Sequence, residues 1–214
     1  MAGIKRHYLR MPHVESGQRI GLFGGSFNPP HQGHVHVCEQ ALRRLGLSQI
    51  WWIVTPGNPL KDLSILAPLK DRIAACEAIT PDPRMKITAF EKGMPTRFTA
   101  DTLSAVVKRN PGVDFVWVMG ADNLGQFHLW ERWRDIADLM PIAVIDRPGS
   151  TLAFHSARAA QALRQFRLDE SDAPRLPSLN PPVWTFIHGP RSSLSSTAIR
   201  AKNSRVETNT DKAL

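Results

Sequence analysis

Cysteine is scarce in this chain: Cys38 and Cys76 are the two among 214 residues, and neither stands in a C-x-x-C or Cys/His spacing. A disulfide framework is therefore not expected. Both fall on the apolar faces of expected helices, so buried free thiols in a reducing compartment are the reading. No apolar run approaches the ~18 residues that a membrane-spanning helix needs. The N-terminal "MAGIKRHYLRMPHVESG" is basic but lacks the apolar middle of a signal peptide. No membrane partner and a cytoplasmic location are expected. Residues 1–18 read as a loose extension, with Met11 as a second start candidate. No internal repeat is visible, and the polar tail at 202–214 should fray.

What is present describes an ordinary globular chain, with 42% hydrophobic and 21% charged residues. The length suits one domain, placed at 19–201. Lys and Arg number 27 against 19 Asp and Glu, a net charge of +8 that favours an acidic partner such as a nucleotide, nucleic acid or anionic surface. Charge alone does not choose among them.

Short runs rich in β-branched and aromatic residues lie at 19–23 (RIGLF), 50–54 (IWWIV), 114–119 (DFVWVM), 141–146 (PIAVID) and 183–187 (VWTFI). Being apolar throughout, they read as buried parallel strands. Between them Val35, Cys38, Leu42 and Leu45 recur at helical spacing, as do Leu66, Leu69, Ile73, Cys76 and Ile79, then Leu103, Val106 and Val107. The alternation implies βαβ units and an α/β fold, a Rossmann-like doubly wound parallel sheet with helices on both faces. A weak helix over 156–167 and a Pro-interrupted loop over 168–182 complete the expected order.

In such sheets ligands sit beyond the carboxyl ends of the strands. "GGSFNPPHQGH" follows the first strand and so lies at that edge. Gly24 and Gly25 let backbone approach a ligand, Asn28 suits a turn, and Pro29-Pro30 stiffens the entry to a helix. A helix starting near His31 offers unpaired N–H groups and a positive dipole end, a natural seat for phosphate. His31 and His34, three apart, share one face there. Two imidazoles could instead ligate a metal, but no third ligand accompanies them: His36 points to another face and no HExxH pattern exists.

The spacing of the whole stretch resembles the G-x-F-D-P-x-H-x-G-H signature of the nucleotidyltransferase superfamily, related to the HIGH motif of class I aminoacyl-tRNA synthetases. Asn28 replaces the usual Asp, one turn-former for another. "SSLSSTAIR" at 192–200 looks like the superfamily's I-S-S-T-x-I-R motif, with Leu194 in place of Ile. Three further stretches are similar to the nicotinate-nucleotide adenylyltransferase family in particular: "TPGNPLKD", "PTRFTADTL" and "MGADNLGQFHLW". The resemblance spans residues 19–200 and implies a fold of the nucleotidyltransferase type.

It also implies roles. Gly24, Gly25, Ser26 and Phe27 would line the nucleotide cleft. His31 and His34 would contact ATP phosphates, His34 nearest the reacting α-phosphate. Gly120 and Asp122 would sit beside the adenosine, and Arg147 would match the family's R-R-P-G arginine, with Asp146 in place of the first Arg. Ser195, Ser196, Thr197 and Arg200 would hold the β- and γ-phosphates, Arg200 joining the histidines in catalysis. On the acceptor side, Gly25, Ser26, Asn58, Lys61, Phe98 and Thr99 would hold nicotinate mononucleotide, with Trp130 stacked on its pyridine ring. Trp133 reads as core.

The implied reaction is in-line transfer of the adenylyl group of ATP to that acceptor, with Mg²⁺ arriving on the nucleotide and no dedicated protein metal site. Nucleic acid is not expected as a partner, since the KMSKS loop of the synthetases is absent, and a homo-oligomer stays open. Pantetheine-phosphate adenylyltransferase, the nearest rival, would share His31, His34 and the Ser/Thr/Arg motif but would not require "PTRFT" or Trp130. A plain dinucleotide-binding module fits poorly, because "GLFGGSF" lacks G-x-G-x-x-G spacing.

Overall fold

The computed structural model describes residues 3–57, 65–96, 98–146 and 157–189. Among them seven strands form one sheet in the order β3-β2-β1-β4-β5-β7-β6, with every neighbouring pair parallel. The strands are β1 (Arg19–Gly25), β2 (Gln49–Val54), β3 (Met85–Thr88), β4 (Asp114–Gly120), β5 (Ile142–Ile145), β6 (Arg167–Leu168) and β7 (Trp184–Ile187). The helices that follow the strands are α1 (Gln32–Arg44), α2 (Leu69–Ile79), α3 (Thr99–Arg109), α4 (Ala121–Phe127), α5 (Trp133–Leu139) and a short α6 (Arg158–Ala162).

The period of two along each strand divides the core into two layers. Ile20, Leu22, Trp51, Ile53, Phe115, Trp117, Met119, Ile142 and Val144 face α3, α4, α5 and α6. Their neighbours Phe23, Ile50, Trp52, Val54, Val116, Val118, Ala143 and Ile145 face α1 and α2. Alternate side chains thus enter opposite, equally apolar layers, which is why these runs carry no polar residue in alternation. Helices on both faces give the doubly wound arrangement. Cys38 and Cys76 are fully buried free thiols in the second layer.

Three regions differ from expectation. Residues 3–18 are not loose over their first part: a 3-10 helix at Arg6–Leu9 buries Tyr8 to 6% exposure. The Tyr8 carbonyl accepts from the Ala89 N–H at 2.7 Å and the Thr88 hydroxyl at 3.1 Å, so the segment is fastened to the end of β3. Strands β3 and β6 were not expected, because both are short sheet edges without the two-sided burial that makes an apolar run. The helix expected over 156–167 is confined to α6 plus a 3-10 turn at Arg164–Phe166. The stretch expected as a loop holds a 3-10 helix at Glu170–Ser178, whose Ala173, Leu176 and Pro177 are buried beneath the sheet's second layer. Proline fixes φ at a value that a 3-10 helix tolerates, so Pro174 and Pro177 bend the segment without excluding helical turns.

Candidate active site

Strand order reverses between β1 and β4, and the chain leaves these strands toward opposite faces: α1 follows β1 on one side, α4 follows β4 on the other. That reversal opens a crevice at their carboxyl ends. The two strands pair as far as Leu22 and Trp117, and beyond that pair they end on Gly24–Gly25 and Gly120. A Cβ on Gly24 would lie 2.7 Å from Trp117 Cη2, so no other residue fits there without displacing the ring. Gly120 is buried and caps α4, whose first turn carries the exposed Asp122.

His31 is the N-cap of α1, with extended backbone (φ −153°, ψ 168°). Its Nδ1 accepts from the Gly33 N–H at 3.1 Å, and His34 Nδ1 in turn accepts from the His31 N–H at 3.1 Å. This reciprocal capping satisfies amides that the first turn leaves over. It also fixes the tautomer: when each neutral ring accepts at Nδ1, its proton sits on Nε2. The rings lie 3.8 Å apart between centroids at 33°, at the positive end of a thirteen-residue helix, with His31 buried. The side-by-side arrangement expected of His31 and His34 is present.

Phe27 takes a position other than the expected one. It is 2% exposed, with a left-handed backbone (φ 46°), and its ring stacks on Trp52 at 4.9 Å and meets His34 edge-on at 5.1 Å. Rather than lining the cleft, Phe27 is buried whole, and its ring packs against His34 and Trp52. Ser26 is half-buried beside it.

On the opposite face of the sheet, Phe98 is the N-cap of α3 and 43% exposed, and Thr99 opens the helix. The Phe98 N–H donates to Thr96 Oγ1 at 3.1 Å, and the Thr96 hydroxyl donates to Asp101 Oδ2 at 2.8 Å. Arg132, itself left-handed at φ 54°, binds Asp101 Oδ1 at 2.6 Å and Asp135 Oδ2 at 2.7 Å. The start of α3 is thereby tied to the turn that carries Trp130. Trp130 is half-buried, edge-on to Trp117 at 6.1 Å and to Phe127 at 5.5 Å, while Trp133 is core. Trp117 thus lies between Gly24 and Trp130 and links the two halves of the site. Asn58, Lys61, Arg147, Ser195, Ser196, Thr197 and Arg200 lie outside the described residues.

Sequence reasoning missed Arg72. This arginine lies on the apolar stripe of α2, between Leu69 and Ile73, and is 2% exposed. Its guanidinium donates to four main-chain carbonyls: Ala67 at 2.8 Å, Ser26 at 2.6 Å, Thr55 at 2.8 Å and Pro56 at 3.4 Å. Burial lowers its pKa from the usual arginine value, yet the group stays charged, as arginine does in proteins. The sole signal in the sequence was a charge set within a hydrophobic stripe. Asn28 works at the same junction: its side chain donates to the Ile65 carbonyl at 2.9 Å and accepts from the Ala67 N–H at 3.1 Å. The turn position is therefore also a clasp between the β1 loop and the approach to α2.

Among the described residues, no group of three or more His, Cys, Asp or Glu side chains converges as a metal site would require. No described helix is long and apolar enough to cross a membrane.

Comparison with known proteins agrees with this fold. A family model described as cytidylyltransferase-like matches residues 22–202. A Mesorhizobium japonicum relative named "probable nicotinate-nucleotide adenylyltransferase" is 61% identical over 190 residues, covering 89% of this chain and 97% of its own length. One of the same name from Agrobacterium fabrum is 63% identical over 181 residues, 85% of this chain and 97% of its own. Among solved structures, the Plasmodium falciparum nicotinic acid mononucleotide adenylyltransferase complexed with NaAD matches 86% of this chain and 83% of its own, with a TM-score of 0.65. At 18% identity that likeness is one of fold.

Proposed function

The chain belongs to the nicotinate-nucleotide adenylyltransferase family, and from that membership we propose how its own residues carry adenylyl transfer from ATP to nicotinate mononucleotide. A 5′-phosphate oxygen of the mononucleotide attacks the α-phosphorus of ATP in line. The bond from that phosphorus to the oxygen bridging to the β-phosphate breaks, and pyrophosphate leaves as deamido-NAD forms. The observation that carries the reading is the capped pair His31 and His34, set beside Gly24–Gly25 at the β1–β4 crevice.

The pair suits this chemistry because no covalent intermediate is needed. Alignment of the two nucleotides and stabilisation of charge on the transferring phosphoryl group supply the acceleration. With Nδ1 of each ring accepting from backbone, a neutral ring carries its proton on Nε2 and would donate it to a phosphate, so neither ring has to move a proton. His34 serves the α-phosphate and His31 its neighbour. The fixed tautomer means that no reorganisation is required as charge develops.

Asp122, exposed in the first turn of α4, would accept from ribose hydroxyls of the adenosine. Phe98, Thr99 and Trp130 would receive the pyridine ring, with Trp130 offering its flat face. Asn58 and Lys61 would flank the acceptor. Arg147, Ser195, Ser196, Thr197 and Arg200 would hold the leaving phosphates. Mg²⁺ would enter on ATP, held by phosphate oxygens and water as a hard ion prefers, and would neutralise charge on the pyrophosphate. The reaction would take place in the cytoplasm.

Labelled ATP tests the chemistry. Label at the α-phosphorus is expected in deamido-NAD and label at the γ-phosphorus in pyrophosphate. Release of γ-label as orthophosphate, or α-label in free AMP alone, would contradict adenylyl transfer.

A further inference from the structure

We propose that Arg72 is a positioning residue for the acceptor half of the site: it locks the loops after β1 and β2 together through their main-chain carbonyls. The proposal rests on the adenylyl-transfer reading above for the substrate served, but its geometry stands alone. A guanidinium with four carbonyl partners from three separate stretches is not a surface ion pair. Ser26 belongs to the β1 loop, Thr55 and Pro56 to the β2 loop, and Ala67 to the approach to α2. In sequence, Pro56 and Ala67 bracket the stretch that bears Asn58 and Lys61.

The bonds set directions as well as distances. In a trans peptide the C=O and the next N–H point opposite ways. Drawing the Ser26 carbonyl onto Arg72 therefore turns the Phe27 N–H away from α2, and drawing the Pro56 carbonyl onto Arg72 does the same for the Gly57 N–H. Phe27 holds a left-handed backbone, which a non-glycine residue keeps only when its surroundings enforce it. Arg72 and the Asn28 clasp, on either side of Phe27, supply that enforcement. The desolvated charge behind these peptides also polarises their N–H groups toward an anion, which suits an acceptor that carries a phosphate. His31 and His34 are fixed by their own reciprocal capping, which does not pass through Arg72. The ATP half should thus be affected less.

Lysine keeps the charge but not the planar fork, and methionine keeps only the stem. The test compares Arg72→Lys and Arg72→Met with the wild type by hydrogen exchange, calorimetric affinity for each nucleotide, and steady-state kinetics. Amides in peptides covering residues 24–30 and 54–57 should exchange faster in both variants, while those of β4 keep the wild-type rate. KM for nicotinate mononucleotide should rise by about tenfold or more in Arg72→Met and less in Arg72→Lys, with ATP affinity within about twofold of wild type. Unchanged exchange in the two loops, or equal losses for both nucleotides in a folded variant, would overturn the proposal. Should Arg72→Met fail to fold, Arg72→Lys must show the same exchange and KM split, and its absence counts equally against Arg72. A wild type inactive with nicotinate mononucleotide would sink the functional reading while hydrogen exchange still judged the role of Arg72.

Discussion

His34 concentrates the chemistry that the site can perform. Its Nδ1 accepts from the His31 N–H and its ring meets Phe27 edge-on, so in the proposed reaction Nε2–H would act as a donor rather than a proton shuttle. His34→Ala is expected to lower kcat by about two orders of magnitude or more while ATP affinity changes little, because the donor acts chiefly on charge that develops in the transition state. Steady-state kinetics alongside calorimetric ATP binding would check this, and retained turnover would contradict it. That His31 and His34 lie together at the start of α1 was legible from their spacing, while a role on ATP phosphates was only what the family resemblance implied. The burial of Phe27 was not, since a phenylalanine after two glycines reads equally well as wall or floor. Arg72 was illegible for a related reason: a helical stripe predicts which face is buried, not which carbonyls come to meet a charge placed there.

Glu91 gives a second prediction at this scale. Desolvation raises its carboxyl pKa above the ordinary 4.5, against the lowering effect of the Thr102 hydroxyl that donates to it at 2.8 Å. A group whose pKa is raised on folding stabilises the fold below its unfolded value and loses that contribution as pH rises through the folded one. Glu91→Gln should therefore melt higher than wild type at pH 7, by about 2–4 °C per kcal/mol for a chain of this size. The gap should close as pH falls toward 4.5. A gap that widens on acidification would contradict the argument.

At the scale of elements, the central strands were readable because burial on both faces leaves an uninterrupted apolar run. β3 and β6 were not, for they are edges of four and two residues, and half of their environment lies outside the sheet. The N-terminal segment shows the same limit. Tyr8 is one aromatic within a basic stretch, yet its main chain satisfies both Thr88 and Ala89. Helical periodicity performed better, and it placed Cys38 and Cys76 on buried faces of α1 and α2. Burial lifts the Cys38 thiol well above its usual range and pushes Cys76 up to about 12. Thiolate is the reactive form, so neither should react with a thiol reagent at pH 8 in the native protein, and both should titrate in denaturant. Reaction of either thiol at the rate of an exposed cysteine would show that these helices do not pack as described.

For the whole molecule, a basic balance of 27 against 19 charged residues and a doubly wound sheet point the same way, toward a phosphate-bearing ligand at the strand-order reversal. Charge left the class of that ligand open. The glycines Gly24, Gly25 and Gly120 at the ends of β1 and β4 leave room there for the proposed nucleotide, and Trp130, half-buried and edge-on to the core Trp117, would stack on the acceptor's pyridine ring. The acceptor is the central claim, and pyrophosphate release from ATP, measured in parallel with nicotinate mononucleotide, nicotinamide mononucleotide and phosphopantetheine, tests it most directly. The highest kcat/KM is expected with nicotinate mononucleotide. A clear preference for phosphopantetheine, or no release with either pyridine mononucleotide, would contradict it.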